Sequence, residues 1–594
     1  MPSKAAFRVA LLLGTTLLAA LPPTAGAAGP AGLTMTVTRF DDPPPSGCAA
    51  SDCSLREAVL AANSNPGHDT VELASGIYEL TIAGVDEDGG ATGDLDVTDD
   101  LTLSGEGEND TIISANGIDR ALHVRPVLND VSVDISDLTV RGGHAQFTVG
   151  PESGAGAGLF VAPRVELTAS RVTFRDGLAD ERGGGIYSEA GVLSGSLTLF
   201  ECTIAGNQGS TAKGGVGGGG IYKRGEATLI RTTVRDNTAG FLPAGGIWND
   251  SGPLTMIDSA VEGNSAGVAG GIANGGTLAI ISTTIGGNTS STSGGGINAG
   301  GEGVTITGST ISGNVAEQEG GGIDFSGDPG VTMTITNSTI SGNTAGTKGG
   351  GIHNWVGGTV EMTNVTVSGN TTQETGGGLY IQSGAANLNN VTVANNTAPP
   401  GPNGSGIFNA AANVSLANTI VAGNGDGESC NTAMVSAGHN LEDGDTCGFA
   451  RAGDLANTDP LLGPLEDDGG PTLTHSLLGG SPAIDAGNDA SCAATDQRGI
   501  SRPIDGDGDG DAVCDIGGYE AETSLADGDV DCNGRADAID AALVLQYEAR
   551  LILVLACQEA GDVNVDGVLN ALDALLILQR DAGLIAGLRA VMPA

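Results

Sequence analysis

The sequence predicts an all-β fold, a right-handed parallel β-helix (solenoid), with a small α-helical domain appended at its C-terminal end. Three observations carry this expectation. A Gly-Gly-Gly-Ile-like motif recurs about every 26 residues, ending at Ile186, Ile221, Ile247, Ile272, Ile297, Ile323, Ile352, Leu379 and Ile407. A Thr-Ile-x-Gly-Asn-like motif follows in each period and ends at Asn207, Asn237, Asn264, Asn288, Asn314, Asn343, Asn370, Asn396 and Asn424, with successive asparagines 24 to 30 residues apart. Between them lie short alternating runs rich in β-branched residues, such as Thr305-Ile306-Thr307 and Thr332-Met333-Thr334-Ile335, and nothing of helical length.

Each repeat is then one coil of several short strands, which buries its apolar face only against the coils above and below it. Strands of successive coils pair in parallel about 4.8 Å apart, so like residues stack in ladders. The glycine before each recurring asparagine supplies a positive φ, and the asparagine bonds local backbone. A ladder of asparagines satisfies itself amide to amide along the axis; a buried amide left unpaired costs roughly 1–3 kcal/mol. Less regular coils precede the repeats at Thr70-Val71-Glu72-Leu73, Leu101-Thr102-Leu103-Ser104 and Val131-Ser132-Val133-Asp134-Ile135. From Thr70 to Asn424 the period predicts on the order of 13 coils along roughly 60 Å of axis. The Asp-bearing nine-residue period of calcium β-rolls is absent.

Composition narrows the function classes. The 594 residues include 100 glycines without the three-residue period of collagen, and aromatics make up only 3%, so small β-branched residues must fill the core. The 71 acidic residues against 24 basic ones give a formal charge of −47, which weighs against a nucleic-acid partner and favours cation binding. Residues 1–28 read as a secretory signal: Lys4 and Arg8, an apolar stretch from Val9 to Leu21, then small residues Ala25 to Ala28. No later segment is apolar enough to span a membrane, and the mature chain is expected to be secreted, extracellular or at the cell surface. The nine cysteines suit that compartment, falling into the close pairs Cys48/Cys53, Cys430/Cys447, Cys492/Cys514 and Cys532/Cys557, with Cys202 left over as a small buried hydrophobe.

If the Ile of each Gly-Gly-Gly-Ile points inward, the next residue points outward, and these residues form a column: Tyr187, Tyr222, Trp248, Ala273, Asn298, Asp324, His353, Tyr380 and Phe408. Tyr187, Tyr222 and Trp248 are glycan-binding candidates, since aromatic faces suit the apolar faces of sugar rings; the alternative is that they pack on one another or under a loop. Asp324 and His353 fall on adjacent coils within reach of each other and are the candidates for an acid/base pair. Lys223 and Arg224 beside Tyr222 form the most enzyme-like cluster in the repeats. The Gly-Val-Gly-Gly-Gly-Gly run at 215–220 meets a dinucleotide fingerprint only trivially, without a strand-to-helix context.

At the N-terminal flank, Cys53-Ser54-Leu55-Arg56-Glu57-Ala58-Val59 followed by Ala61-Ala62-Asn63 reads as a short helix with a Ser54/Glu57 capping box. It resembles the CSLREA-type motif of secreted bacterial β-helix proteins and is expected to cap the first coil over residues 29–69, ahead of a β-helix at 70–430. On the other side, Asp459-Pro460-Leu461-Leu462-Gly463-Pro464-Leu465, Gly480-Ser481-Pro482-Ala483-Ile484-Asp485-Ala486-Gly487, Asp496-Gln497-Arg498-Gly499 and Asp515-Ile516-Gly517-Gly518-Tyr519-Glu520 resemble a choice-of-anchor segment of type Q, read as a C-terminal cap at 431–522. Asp505, Asp507, Asp509 and Asp511 interrupt it as an acidic insert, either a calcium loop or a solvated one; Ile516 stands where a twelfth-position acid would belong.

The strongest chemical pattern lies in residues 523–594. Residues 529–540 and 562–573 both place oxygen ligands at loop positions 1, 3, 5, 9 and 12, with glycine at position 6. That is the calcium-loop spacing, in which alternate short side chains converge on one hard cation. The ligands are Asp529, Asp531, Asn533, Asp537 and Asp540 in the first loop and Asp562, Asn564, Asp566, Asn570 and Asp573 in the second; Arg535 and Val568 offer backbone carbonyls at position 7. Each loop opens onto a matching helix. The duplication, with Asp at position 12 and no entering helix, resembles a type I dockerin over about Asp527–Leu588. The resemblance implies two Ca2+ ions, a cohesin-like partner module, and recognition positions at Ala538/Ile539 and Ala571/Leu572, where well-known members carry hydroxyl residues. The chain is therefore expected to be a secreted, non-catalytic surface or extracellular-complex protein that is tethered through calcium and binds a polysaccharide or other cell-surface ligand. The alternative is a polysaccharide-degrading enzyme, a glycoside hydrolase or polysaccharide lyase, delivered by a dockerin to a cohesin scaffold.

Overall fold

The computed structural model describes residues 32–582 and 584, except 86, 128, 149–152, 211–216, 242, 426–427, 508–509, 523–527, 532–535, 556–557 and 565–566. The signal segment 1–28, Asp509 and the Cys532/Cys557 pair lie outside the described residues.

The recurring Ile begins a three-residue strand in every coil, and twelve such strands, from Leu95–Val97 to Ile407–Asn409, stack in order into one parallel sheet. Like residues lie opposite one another: Ile272 faces Ile297, which faces Ile323, which faces Ile352. A second, 24-stranded sheet carries the longer alternating runs, with Ile280, Ile306, Ile335 and Met362 in successive register. A short five-stranded sheet, from Ser265–Ala266 to Thr371–Thr372, occupies part of a third side. The inward side chains of these coils form one continuous apolar core with Ile and Val at nearly every level. Stiff β-branched residues lose little rotamer freedom on such a pleated surface, which is why so aromatic-poor a sequence can still fill it.

Close stacking demands glycine at the corner before each Ile strand. A Cβ on Gly296 would stand 2.7 Å from the carbonyl oxygen of Gly322 on the next coil and 3.0 Å from the Asn314 amide. The amide ladder runs unbroken from Asn207 to Asn424, each Nδ2 donating to the Oδ1 of the next asparagine at 2.9–3.0 Å.

At the N-terminal end, helix α1 (Leu55–Ser64) has the expected capping box between Ser54 and Glu57. Thr34–Thr36 pairs in parallel with Asp69–Glu72, so strand stacking starts well before residue 70. At the other end Val435–Ser436 and Leu441–Glu442 still pair with the coil before them, past residue 430. The segment that follows packs against these last coils. It lies along the flank of the last coils, where Thr339, Thr366 and Thr392 stand in register on adjacent levels. Gln497 Nε2 donates to Thr339 Oγ1 at 2.9 Å, Thr366 Oγ1 donates to Gln497 Oε1 at 2.8 Å, and the Gly518 amide donates to Thr392 Oγ1 at 3.0 Å. The hydroxyl ladder supplies regularly spaced partners, and Leu477, Ala483 and Ile516 bury against Ile420 and Leu441.

Disulfides join Cys48–Cys53, Cys430–Cys447 and Cys492–Cys514, while Cys202 is free and buried, its thiol pushed up to about 11 by desolvation. Among the described residues, no helix is long and apolar enough to cross a membrane. In the C-terminal domain, α2 (Ala538–Glu548) and α3 (Ala571–Asp581) pack on each other through Val544, Ala574, Leu576 and Ile577, joined by Val530 and Val563 from the preceding loops.

Candidate functional site

Three places were expected to carry chemistry: the outward column of the twelve-stranded sheet, the two acidic loops, and the acidic insert, of which Asp505 and Asp507 each bring a carboxylate oxygen within 4.8 Å of Asp485.

The column exists, and its outward direction holds, because successive residues of a strand point to opposite faces. Its rings, however, are not an open platform. Tyr187 and Tyr222 are only 2% and 1% exposed. Phe160 stacks on Tyr187 at 4.7 Å, Tyr187 on Tyr222 at 5.1 Å, and Trp248 meets Tyr222 edge-on at 5.0 Å. Ala155 and Ala162 close the cluster, and Arg182 and Arg224 lie over the Tyr222 ring at 5.7 and 6.0 Å. Burial, aided by the nearby Asp250 carboxylate, pushes the Tyr222 hydroxyl up to about 12; burial and Glu189 raise Tyr187 as well. Of the three glycan candidates, Trp248 alone is half-buried.

Lys223 does not join Tyr222. It sits at an inward position of the same strand, in register with Asn249, and is fully buried. Its ammonium donates to the carbonyls of Gly225 at 2.6 Å and Pro253 at 2.9 Å, and burial pushes it down to about 7. Arg224 points outward and donates to Asp250 at 2.8 Å and Glu189 at 3.4 Å. The enzyme-like cluster of the linear sequence is thus split between two faces by strand alternation.

Asp324 and His353 are neighbours, directly opposite in register, with His353 Nδ1 2.8 Å from Asp324 Oδ1. Asn298 Nδ2 donates to the other Asp324 oxygen at 2.9 Å, and the Glu319 carboxylate, held by Lys348 at 3.0 Å, stands 3.8 Å from His353 Nδ1. His353 is 0% exposed and leans on the Tyr380 ring at 5.2 Å. A general acid must reach the atom it protonates, and this imidazole meets protein on all sides.

The column also runs farther than its glycine-led motif indicates. Asp96, His123 and Phe160 occupy the same register position before Tyr187. The tripeptides Leu95-Asp96-Val97, Leu122-His123-Val124 and Leu159-Phe160-Val161 carry the same inward–outward–inward pattern, which was the available signal.

In the C-terminal domain the two loops fold alike where both are described. Asp537 and Asn570 cap α2 and α3, each in a box with the twelfth-position acid, Asp540 or Asp573, three residues on. Asp540 Oδ1 accepts from the Val530 amide at 2.9 Å, and Asp562 accepts from the Gly567 amide at 2.8 Å, with Gly567 at φ +82°. Ligand oxygens of Asp529, Asp531 and Asp540 all lie within 4.8 Å of one another, and Asp529 and Asp540 are buried. Carboxylates converging in so dry a place suit a hard cation that takes oxygen ligands. Asp573 of the second loop is likewise buried, and its Oδ1 accepts from the Asn564 amide at 3.4 Å. Asn533, Arg535 and Asp566 lie outside the described residues. The expected recognition positions, Ala538, Ile539, Ala571 and Leu572, are all exposed, Ile539 at 59% and Leu572 at 49%.

No curated protein matches this chain. Among solved structures, the A-module of the Azotobacter vinelandii mannuronan C-5 epimerase AlgE6 is 17% identical with a TM-score of 0.32, covering 68% of this chain and 99% of its own. Pectate lyase Pel9A is 15% identical with a TM-score of 0.31, covering 82% of this chain and 96% of its own. Likeness at this level carries no statement of activity. The C-terminal match is of another kind: residues 527–580, with both loops and both helices, belong to the dockerin type I domain family.

Proposed function

We propose that this chain is a secreted, non-catalytic β-helix protein, tethered by docking of its C-terminal domain onto a cohesin-like module and presenting its solenoid to a polysaccharide or other cell-surface ligand. The observation that carries the reading is the dockerin at 527–580, whose acidic loops bring Asp529, Asp531 and Asp540 together ahead of helices with exposed apolar first turns. Two Ca2+ ions order the loops: Asp529, Asp531, Asn533, Asp537 and Asp540 hold one, with the Arg535 carbonyl, and Asp562, Asn564, Asp566, Asn570 and Asp573 the other, with the Val568 carbonyl. A bound Ca2+ neutralises the converging carboxylates and so fixes the helix starts that form the docking face. Ile539 and Leu572 on that face favour a partner with a matching apolar patch.

Burial of Asp324 and His353 supports the non-catalytic reading, and of the three glycan candidates Trp248 is the one with a face open to a sugar. The test is binding of the full chain to a panel of cohesin modules in Ca2+ and in chelator. Calcium-dependent capture by at least one module, lost in Asp529→Ala/Asp562→Ala, is the expected result; no capture by any module sinks the tether. Release of reducing ends or unsaturated sugars from a polysaccharide panel would replace the non-catalytic reading with the degradative one.

A further inference from the structure

The N-terminal end of the column carries a second cluster of ligating groups, far in sequence from the dockerin. Asp96 and His123 face each other across the first two strands of the twelve-stranded sheet, with His123 Nδ1 2.9 Å from Asp96 Oδ1. The loop before the first strand brings in Asp88. One ligand atom from each of Asp88, Asp96 and His123 lies within 4.8 Å of the other two. Asp96 and His123 are 0% exposed, whereas the Asp88 side chain opens to solvent and pairs with Arg125.

Asp96 is the telling group. It is completely buried, and its Oδ2 has no hydrogen-bond donor among the described residues. Asp94, also buried, stands beside it with one oxygen paired to Arg120 and 3.9 Å from His123 Nδ1, and its other oxygen lacks a hydrogen bond among the described residues. A buried carboxylate oxygen without a donor is costly unless a cation or a proton meets it. The other buried pair of the column shows the contrast: both oxygens of Asp324 are engaged, by His353 and Asn298.

The surroundings hold these groups in place. Glu87 accepts from the amides of Gly89, Ala91 and Thr92, which shapes the loop bearing Asp88. Arg56 of α1 donates to the carbonyls of Gly90, Gly93 and Asp94 while pairing with Asp42. Asn63 of α1 donates to the Asp96 carbonyl at 2.7 Å and accepts from the Thr98 amide at 2.8 Å. Residues of the N-terminal helix motif thus clamp both the loop and the strand that carry the ligands.

We propose that Asp88, Asp96 and His123 form a divalent-cation site at the N-terminal end of the solenoid, braced by Arg56 and Asn63. One imidazole nitrogen with two carboxylate oxygens is a borderline donor set; it suits Zn2+ or a neighbouring first-row ion better than Ca2+, which prefers oxygen alone. The exposed side of Asp88 gives the ion a route in, and binding shifts Asp88 from Arg125 onto the metal.

The test is equilibrium dialysis of the full chain against Zn2+ in excess Ca2+, which occupies the dockerin loops, with bound zinc counted by elemental analysis. One tight equivalent is expected. Asp96→Asn should weaken it by about 100-fold or more, and Asp88→Asn by about 10-fold, in line with the losses that even supporting partners cause at metal sites. Asp88 is largely exposed, so Asp88→Asn decides the matter if Asp96→Asn fails to fold. Zinc retained in Asp529→Ala/Asp562→Ala assigns the ion to the solenoid. Equal zinc content in wild type and in both loop and strand variants, or none in the wild type, overturns the proposal.

Discussion

The amide of Asn288 donates from Nδ2 to Oδ1 of Asn314 at 2.9 Å, and the same oxygen accepts the Asn288 backbone N–H at 3.0 Å. Asn314 in turn donates to Asn343 Oδ1 at 3.0 Å and to the Ile285 carbonyl at 2.9 Å. Each asparagine thereby ties three coils together. Replacing Asn314 by Ala takes these partners from the buried Asn288 backbone N–H and the Ile285 carbonyl, at about 1–3 kcal/mol for each group, while Asn288 Nδ2 keeps its bond to the Val261 carbonyl. Asn314→Ala should therefore lower the thermal midpoint of the solenoid far more than Thr305→Ala on its surface. Equal shifts for the two variants would deny the ladder its structural role.

Calcium should act locally. In chelator, limited proteolysis should cut within 527–580 while the far-UV signal of the parallel sheets persists, because, among the described residues, the dockerin loops contribute no strand to the sheets of the solenoid. Asp529→Ala with Asp562→Ala should reproduce this cleavage in the presence of Ca2+. A tail equally protected with and without the ion would show that its fold does not depend on metal.

Lys223 predicts a pH dependence with a definite sign. Burial takes its ammonium from 10.5 down to about 7 in the folded chain. Between those values the unfolded chain binds the extra proton, so stability rises with pH across that window, and the cost of burying the cation is fully felt below it. Lys223→Met removes the titration. Relative to this variant, wild type should gain about 3 kcal/mol between pH 6 and pH 9, at about 1.4 kcal/mol per pK unit. A stability difference that stays flat over this range would mean the ammonium remains charged in its carbonyl cradle.

The aromatic column separates packing from recognition. Tyr222→Ala empties a site enclosed by two rings and should cost roughly 3–5 kcal/mol of stability with glycan binding unchanged. Trp248→Ala, at the half-buried end, should weaken glycan-array binding with a smaller loss of stability. The reverse pattern would place the binding surface over the tyrosines.

Much of this molecule is local and therefore readable in one dimension. The period of Ile and Asn, the Ser54/Glu57 capping box, the three close cysteine pairs and the calcium-loop spacing each depend on residues a few positions, or one repeat, apart. Strand alternation fixed which way Tyr187, Tyr222 and Trp248 point. What lies over a side chain is a different matter, since cover comes from other coils and loops: Phe160 and Ala155 seal the tyrosines, and the neighbouring coils enclose His353. The same holds for the segment from 462 to 521, whose Gln497 finds the hydroxyls of Thr339 and Thr366 more than 130 residues away. The meeting of Asp88, Asp96 and His123 likewise needs a loop and two coils folded together by α1. Periodicity determines direction and stacking because both repeat with the chain; burial and convergence are set by surfaces that meet only after the chain has wound.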